Sequence, residues 1–322
     1  MADVAPRPAP DVSVVLPVYN EEGNVGELHH RLTAVLTGAG LTYELIFVND
    51  GSRDRSWAKI LELSNTDRRV CGVNLSRNFG HQLAITAGIE LSRGEAVVVM
   101  DSDLQDPPEL IPELHARFRD GFDVVYAQRR TRDGETWFKK ATATAFYRLM
   151  RRMSPIDIPV DTGDFRLMSR RVVGDLSRLQ ERHRFVRGLV SWVGYNQTAV
   201  FYDRSARHGG TTKYPITKMI GFALDGLTSF SRQPLRLVTD LGLLLALASL
   251  TLMVGLIVYK LAGGSGLVSG WTSLAVAVLF LGGVQLLAVG ILGEYIGRIY
   301  EEVKGRPLYL VRDKVNLDPP SE

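Results

Sequence analysis

The sequence predicts an α/β protein: a mostly parallel sheet with helices on both faces, followed by interfacial helices and a two-helix transmembrane hairpin. Over roughly the first 130 residues, short apolar runs rich in β-branched residues alternate with segments of helical periodicity. Polar residues follow each apolar run where the predicted strand ends. Toward the C-terminus, two long stretches carry no charged residue and are long enough to cross a bilayer.

The sheet is predicted from strands and helices that alternate along the chain. This alternation is typical of parallel strands joined by right-handed crossover helices. The predicted strands are 12–17, 44–48, 70–75, 95–100 and 122–127, and the predicted helices between them are 27–36, 56–63 and 83–91.

Polar side chains gather at the predicted carboxyl ends of the strands. Ligands of open α/β sheets bind at that edge, so the set predicts a site. Taken singly, each residue could equally serve an ordinary turn or helix cap. No glycine-rich phosphate loop follows the first strand, which excludes dinucleotide-binding and Walker-type folds. The polar residues are Asn20, Glu21, Asp50, Asn78, His81, Asp101, Asp103, Gln128 and Arg129.

The stretch after the fourth predicted strand is a candidate metal site. Asp101 and Asp103 are separated by one residue and can reach a shared cation. Hard oxygen ligands suit Mg²⁺ or Mn²⁺ carrying a substrate diphosphate. The alternative is turn chemistry that caps the helix begun by Pro107 and Pro108.

Composition narrows the functional class. A net charge of +3 over 322 residues, with scattered basic residues, does not indicate nucleic-acid binding. The single Cys71 permits no internal disulfide and is expected to be a buried structural thiol. Residues 1–10 are rich in Ala and Pro without an apolar core, so we expect a disordered N-terminus rather than a secretory signal.

The uncharged stretches 241–259 and 261–293 predict two membrane spans, with Trp271 as an interfacial anchor. A pair of buried core helices is the alternative. The short connection carries one positive charge, whereas the outer flanks carry several, so the positive-inside rule places both termini in the cytoplasm. Glycines of the second span would allow close helix packing, including packing between subunits. The flanking cations are Arg232, Arg236, Arg298, Lys304 and Arg306, and the glycines are Gly282, Gly283, Gly290 and Gly293.

Two further segments have amphipathic helical spacing. Residues 137–152 end in a cationic turn that either meets anionic lipid or complements the helix dipole. Residues 216–231 are predicted to lie in the membrane interface before the first span.

Four motifs together resemble glycosyltransferase family 2 enzymes of GT-A fold: 16–21 (LPVYNE), 49–52 (NDGS), 76–80 (SRNFG) and 101–109 (DSDLQDPPE). The pattern is most similar to the dolichol-phosphate mannose synthase-like branch, which glycosylates polyprenyl phosphates. Residues 293–302 also resemble the tail of bacterial undecaprenyl-phosphate glucosyltransferases of the GtrB type. The resemblance extends from residue 12 to about residue 312.

The resemblance implies a nucleotide sugar bound at the sheet edge through Mg²⁺ or Mn²⁺. The implied donor-binding residues are Pro17, Tyr19, Glu21, Val48, Asp50, Asp101, Ser102, Asp103, Arg129, Arg207 and Lys213, and the implied metal ligands are Asp101, Asp103 and Gln105.

The acceptor side is implied by segments 159–168 and 204–214. A lipid phosphate is already anionic, so Asp164, or failing that Asp161, is expected to orient groups rather than act as a base. The second segment is similar to the family motif Arg-x-x-Gly-x-Ser-Lys-Tyr, with Thr212 in place of Ser. Its cations would clamp the donor diphosphate and the acceptor phosphate. The residues expected to be catalytic are Asp103, Asp164, Arg207 and Lys213.

The sequence therefore predicts a membrane-attached, metal-dependent, inverting hexosyltransferase that makes a polyprenyl-phosphate monosaccharide on the cytoplasmic face for cell-envelope glycan modification. UDP-glucose and undecaprenyl phosphate are the preferred substrates by resemblance, with UDP-GlcNAc, UDP-galactose or GDP-mannose as alternative donors. A homo-oligomer, such as a tetramer, is expected. The predicted plan is a disordered stretch at 1–10, a GT-A domain at 11–215, an interfacial helix at 216–234, two transmembrane helices at 235–294 and a cytoplasmic tail at 295–322.

Two rival functions are a processive polysaccharide synthase and a catalytically idle membrane scaffold. Processive synthases carry Gln-x-x-Arg-Trp beside the membrane. Here Gln233 and Arg236 are followed by Leu237 instead of tryptophan, and two spans are few for a polymer channel. The intact Asp101 and Asp103 pair argues against a scaffold.

Overall fold

The computed structural model describes residues 8–130, 162–182, 184–202 and 271–317, together with scattered helical positions between 235 and 262. These residues fall into two compact units. One is built on a sheet and includes the residues after 305, and the other contains the apolar helical region before them.

The sheet unit confirms the predicted α/β class, with a mixed rather than wholly parallel sheet. Its eight described strands are ordered β7-β5-β6-β4-β1-β2-β3-β8. The central strands β3, β2, β1 and β4 are mutually parallel, whereas β6 and β8 run antiparallel to their neighbours. The strands are β1 (Val12–Val18), β2 (Tyr43–Asn49), β3 (Val70–Leu75), β4 (Ala96–Val99), β5 (Val124–Arg129), β6 (Thr162–Ser169), β7 (Gln197–Tyr202) and β8 (Val311–Val315).

The three predicted helices, 27–36, 56–63 and 83–91, are found to within a few residues, whereas no helix was predicted at 170–178 or 186–192. A 3₁₀ turn, Pro108–Leu110, leads into the helix that the two prolines were expected to begin. The helices are α1 (Val25–Gly38), α2 (Ser56–Thr66), α3 (His81–Leu91), α4 (Ile111–Arg119), α5 (Arg170–Arg178) and α6 (Val186–Trp192).

Apolar residues on the central strands pack against helices on both faces of the sheet. Leu45 and Phe47 of β2 join the cluster that includes the buried face of α1, and the alternating Ile46 and Val48 join the cluster beside α3. Burying a side chain of this size stabilises the fold by about 1.5–3 kcal/mol. Gly88 lets α3 lie close to β1, since a Cβ atom there would overlap Cγ1 of Val15. The first turn of α3 is thereby held at the carboxyl edge of the sheet.

The fifth predicted strand does not neighbour the fourth, because β6 pairs with both of them. The sequence analysis did not predict a strand at 162–169, since Asp164 and Arg166 interrupt its apolar pattern. Both charged side chains are nevertheless buried. Asp164 forms ion pairs with Arg187 and His81, and Nη2 of Arg166 donates a 2.8 Å hydrogen bond to the carbonyl oxygen of Gly163. These contacts compensate for the burial of both charges and permit the strand.

The helical unit contains α7 (Trp271–Val303), which includes one segment, Phe280–Val303, long and apolar enough to cross a membrane. None of its most apolar window is buried by protein in the described residues. Residues 241–259 are described only at scattered helical positions, so the first span and the hairpin stay predictions. Segments 137–152, 204–214 and 216–234 lie outside the described residues.

Beyond α7 the chain contributes β8, which pairs antiparallel with β3 at the edge of the sheet. The sequence analysis treated 295–322 as a tail, with no strand in it. Strand β8 covers an edge that would otherwise present unpaired backbone groups. Gly72 of β3 makes room for it, because a Cβ there would lie 2.6 Å from Cγ1 of Val315.

Candidate functional site

The carboxyl edge of the sheet brings together residues that are distant in sequence. Strands β1 to β5 end at this edge, whereas the antiparallel β6 begins there. Val99 of β4 pairs with Arg166 of β6, which brings Asp101 and Asp164 to the same part of the edge. The predicted gathering of polar residues at one edge is therefore found for the strands that the structure describes.

Asp101 has a side-chain oxygen that is available to a ligand. Its Oδ1 atom is buried and makes no hydrogen bond within the described residues, although Nε2 of His81 lies at an ion-pair distance of 3.3 Å. Burial, with a further contribution from the neighbouring carboxylates, raises the pKa of Asp101 to about 6. A buried, unsatisfied carboxylate oxygen suits a bound cation, which would supply the missing charge.

The residues after Asp101 form a tight turn that is tied to β1. Ser102 is buried, and its hydroxyl donates a 2.8 Å hydrogen bond to the carbonyl oxygen of Pro17. Oδ1 of Asp103 accepts a 3.1 Å hydrogen bond from the backbone N–H of Gln105. Asp103 and Gln105 are partly exposed at the edge. The oxygens of Asp101, Asp103 and Gln105 are thus chemically suited to Mg²⁺ or Mn²⁺.

Asp164 is held in a different way, since both of its oxygens are engaged. Arg187 donates from Nε to Oδ1 at 2.7 Å and from Nη2 to Oδ2 at 3.2 Å. Nε2 of His81 and Nε2 of Gln82 also contact Oδ2, at 3.1 and 3.3 Å. Burial alone would raise the pKa of Asp164, but the His81 hydrogen bond and the charges of Arg187 and Arg166 outweigh burial and lower it. This carboxylate is a weak base, which favours the orienting role.

His81 connects the two carboxylates. Burial lowers its pKa, but Asp164 and Asp101 outweigh that effect, so the pKa of His81 is raised overall. One ligand atom from each of the three residues lies within 4.8 Å of the others, a spacing that could hold a metal. A cation there would compete with the Arg187 guanidinium for Asp164, so a metal centred on Asp101 and Asp103 fits the contacts better.

Asp50 shapes the loop that neighbours this cluster. Its buried carboxylate accepts hydrogen bonds from the backbone N–H groups of Phe79 and Gly80, at 2.7 and 2.9 Å. Burial nevertheless raises its pKa. Gly51 has a φ of +66° and packs so closely on the backbone of Arg77 that a Cβ would lie 2.5 Å from its carbonyl carbon. The predicted donor residue Asp50 is thus committed to holding two loops together.

The remaining predicted donor residues border this edge in different ways. Tyr19 is 45% exposed and follows β1, whereas the side chain of Val48 is buried, so only its backbone could contact a ligand. Glu21 donates its backbone N–H to the hydroxyl of Ser56, at 2.9 Å. Arg129 lies at the end of β5, where its Nε is 3.5 Å from the hydroxyl of Tyr202.

The structure describes Asp103 and Asp164 of the expected catalytic set, whereas Arg207 and Lys213, like Asp161, lie outside the described residues. Sequence reasoning missed Arg187 and Gln82 as partners of Asp164. The only signal for Arg187 was a lone cation within the apolar run 185–190.

Comparison with known proteins identifies relatives along nearly the whole chain. The profile of glycosyl transferase family 2 matches residues 13–177. An uncharacterized glycosyltransferase of Synechocystis sp. is 51% identical over 96% of this chain and 96% of its own length. The bactoprenol glucosyl transferase of Shigella phage SfII is 42% identical over 96% of this chain and 99% of its own. Glucosyl-3-phosphoglycerate synthase from Mycobacterium tuberculosis matches at 20% identity with a TM-score of 0.46, over 68% of this chain and 76% of that one.

Proposed function

The chain belongs to glycosyltransferase family 2, among its polyprenyl-phosphate glycosyltransferases, and we propose that it transfers glucose from UDP-glucose to undecaprenyl phosphate with inversion at the anomeric carbon. One observation carries this proposal: the match to bactoprenol glucosyl transferase spans 96% of this chain and 99% of that relative. A match of that extent includes residues of the apolar helical region as well as of the sheet unit.

The donor diphosphate is assigned to the turn after β4. Asp101 offers a buried oxygen without a hydrogen-bond partner in the described residues, and Asp103 is partly exposed beside it. Bound Mg²⁺ or Mn²⁺ would neutralise the diphosphate as it leaves. Gln105 is the third proposed ligand. Ser102 supports this role by anchoring the turn to β1 through Pro17.

The acceptor is assigned to the neighbouring cationic cluster. A lipid phosphate is already an oxyanion, so deprotonation contributes little, and the main obstacle is repulsion between two anionic substrates. His81 and Arg187 lie beside Asp164, and Arg129 ends β5 at the same edge. We assign Asp164 to orienting His81 and Arg187, because its lowered pKa makes it a weak base. Arg207 and Lys213, outside the described residues, are proposed to complete the clamp.

The membrane part is proposed as a two-helix hairpin with both termini in the cytoplasm. Segment Phe280–Val303 supports one span by its length and composition. A lipid-linked acceptor requires the site to work at a membrane surface, which this anchor would provide. A homo-oligomer is part of the same proposal.

The test is transfer of radiolabelled sugar to undecaprenyl phosphate by full-length protein purified in detergent. UDP-glucose, UDP-GlcNAc, UDP-galactose and GDP-mannose are compared, each with Mg²⁺ or Mn²⁺ and with EDTA. We expect an organic-soluble product from UDP-glucose that requires the metal. Asp103→Asn should abolish it, whereas Asp120→Asn, a matched change on the exposed end of α4, should not. Absence of product from every donor would overturn the proposal, and product from another donor would correct the sugar.

A further inference from the structure

A row of polar side chains crosses three neighbouring strands of the sheet. Asn49 of β2 pairs in register with Asn74 of β3, which pairs with Asp313 of β8. Nδ2 of Asn49 donates to Oδ1 of Asn74 at 2.8 Å, and Nδ2 of Asn74 donates to Oδ2 of Asp313 at 2.8 Å. The three residues form a continuous hydrogen-bonded ladder that runs toward the edge of the sheet.

Burial makes this ladder expensive unless it is complete. Asn49 and Asn74 are only 2% and 6% exposed, in strands whose other side chains are almost all apolar. A buried amide that loses its partner carries the full cost of its desolvation. Asp313, the exposed outer end, supplies an acceptor for Asn74. A residue that follows the apolar helix α7 therefore completes a network in the interior of the sheet unit.

The inner end of the ladder and the segment that carries Asp313 reach two neighbouring loops, 49–52 and 76–80, and the first of these contains the implied donor residue Asp50. Asn49 directly precedes Asp50, and its Oδ1 accepts a long hydrogen bond from the backbone N–H of Ser52, at 3.4 Å. The loop after β3 is held as well. Ser76 donates its backbone N–H to the carbonyl of Leu310, at 2.8 Å, and its own carbonyl accepts from Nη2 of Arg312, at 2.8 Å.

These two loops also contact each other. The Asp50 carboxylate binds the backbone of Phe79 and Gly80, and Gly51 packs on Arg77. A change at the outer end of the ladder can therefore reach both loops through direct contacts. Loop 49–52 contains Asp50, which the family resemblance implies in donor binding, and the backbone of loop 76–80 holds the carboxylate of that residue.

We propose that Asp313 is a positioning residue for the nucleotide-sugar donor, and that segment 310–313 forms the outer support of the donor site. This inference rests on the proposed function. Its consequence is that the donor site is completed only by the part of the chain that follows the membrane helix.

The test uses the full-length protein in detergent and three single variants: Asp313→Leu, Asp313→Asn and Lys314→Leu. Leucine removes the acceptor for Asn74, whereas asparagine keeps an acceptor oxygen of similar reach. Lys314 is exposed on the same strand and provides the matched control. The KM for UDP-glucose, the KM for undecaprenyl phosphate and kcat are measured with Mn²⁺, together with UDP-glucose binding by calorimetry and the melting temperature.

We expect Asp313→Leu to raise the KM and the dissociation constant for UDP-glucose about five- to tenfold, the effect of one lost hydrogen bond. The value of kcat and the lipid KM should change less than twofold. Asp313→Asn and Lys314→Leu should stay within twofold of wild type throughout. If Asp313→Leu lowers the melting temperature without weakening the binding of UDP-glucose, the ladder has only a structural role. The inference is then wrong, while the proposed function stands. If wild-type protein neither binds nor transfers any of the four nucleotide sugars, the proposed function fails, and this inference fails with it.

Discussion

The turn after β4 and the start of β6 each place an aspartate at the same edge of the sheet, yet the two regions treat their carboxylates in opposite ways. Asp101 has a buried oxygen without a hydrogen-bond partner in the described residues and a pKa raised to about 6. Asp164 has both oxygens hydrogen-bonded and a lowered pKa. Burial acts on both in the same direction. The difference lies in the partners, so partner geometry decides which carboxylate is available to a ligand.

Neutralising the carboxylates of the turn after β4 should have the largest effect. Asp101→Asn and Asp103→Asn should each lower kcat/KM for sugar transfer by about a thousandfold or more, since the leaving diphosphate would lose its charge stabilisation. The melting temperature of Asp101→Asn should change little, because Oδ1 of Asp101 makes no hydrogen bond within the described residues and His81 keeps its contact with Asp164. Transfer assays and thermal unfolding of the same preparations check both. Full activity in EDTA would contradict the metal assignment.

At the start of β6, removing Arg187, the ion-pair partner of Asp164, should destabilise the fold. Arg187→Met should lower the free energy of unfolding by about 3 kcal/mol, since it leaves a buried carboxylate without its main counter-ion. Thermal unfolding measures the loss. The double variant Arg187→Met with Asp164→Asn should recover much of it, because the uncompensated charge is then gone. A double variant no more stable than Arg187→Met would show that Arg187 acts through packing instead.

Asp164→Asn tests the orienting role directly. We expect kcat/KM to fall about ten- to a hundredfold through misplacement of Arg187 and His81, a smaller effect than at Asp103. The pKa of Asp164 lies below its usual value of 3.8, so this carboxylate is charged throughout the working range. Asp164 should therefore add no titration of its own to the pH–rate profile between pH 5 and 8. The variant should instead shift the His81 titration toward lower pH, because the contact with Asp164 raises the pKa of His81. Complete disappearance of a titration in that range, rather than its displacement to lower pH, would show that Asp164 is a base.

The smallest effect should come from the neutral partner of Asp164. Gln82 donates a 3.3 Å hydrogen bond to Oδ2 and accepts one from the backbone N–H of Val186, at 2.9 Å. Gln82→Met should cost about 1 kcal/mol of stability and change activity less than threefold, because the charged partner remains. Thermal unfolding of Gln82→Met and Arg187→Met, measured side by side, shows which variant loses more stability. If Gln82→Met loses as much stability as Arg187→Met, the charge of Arg187 does not explain how Asp164 is stabilised.

The central strands were predictable because their apolar runs are continuous and their helices are regular. Predicted strand 70–75 matches β3 (Val70–Leu75), and the other predicted boundaries differ by a few residues. Strands β6, β7 and β8 were not predicted. Thr162–Ser169 contains Asp164 and Arg166, and Val311–Val315 reads Val-Arg-Asp-Lys-Val, so neither shows the apolar pattern of a buried strand.

The candidate site likewise contains residues that were predictable from the sequence and residues that were not. The Asp101 and Asp103 pair was found because both residues are local to one strand end. Arg187 was missed because its partner, Asp164, is 23 residues away in the chain. No period or motif connects the two.

The sequence alone therefore determined the features set by neighbours along the chain: the alternation of strands and helices, the carboxylates at the end of β4 and the apolar C-terminal stretches. The tertiary structure decided what depends on neighbours in space. It pairs β6 between β4 and β5, returns β8 to the sheet beyond α7, and gives one aspartate an arginine and the other an unfilled oxygen. The reason is physical: periodicity follows from local backbone geometry, whereas pKa values and buried polar ladders depend on contacts that only folding brings within a few ångströms.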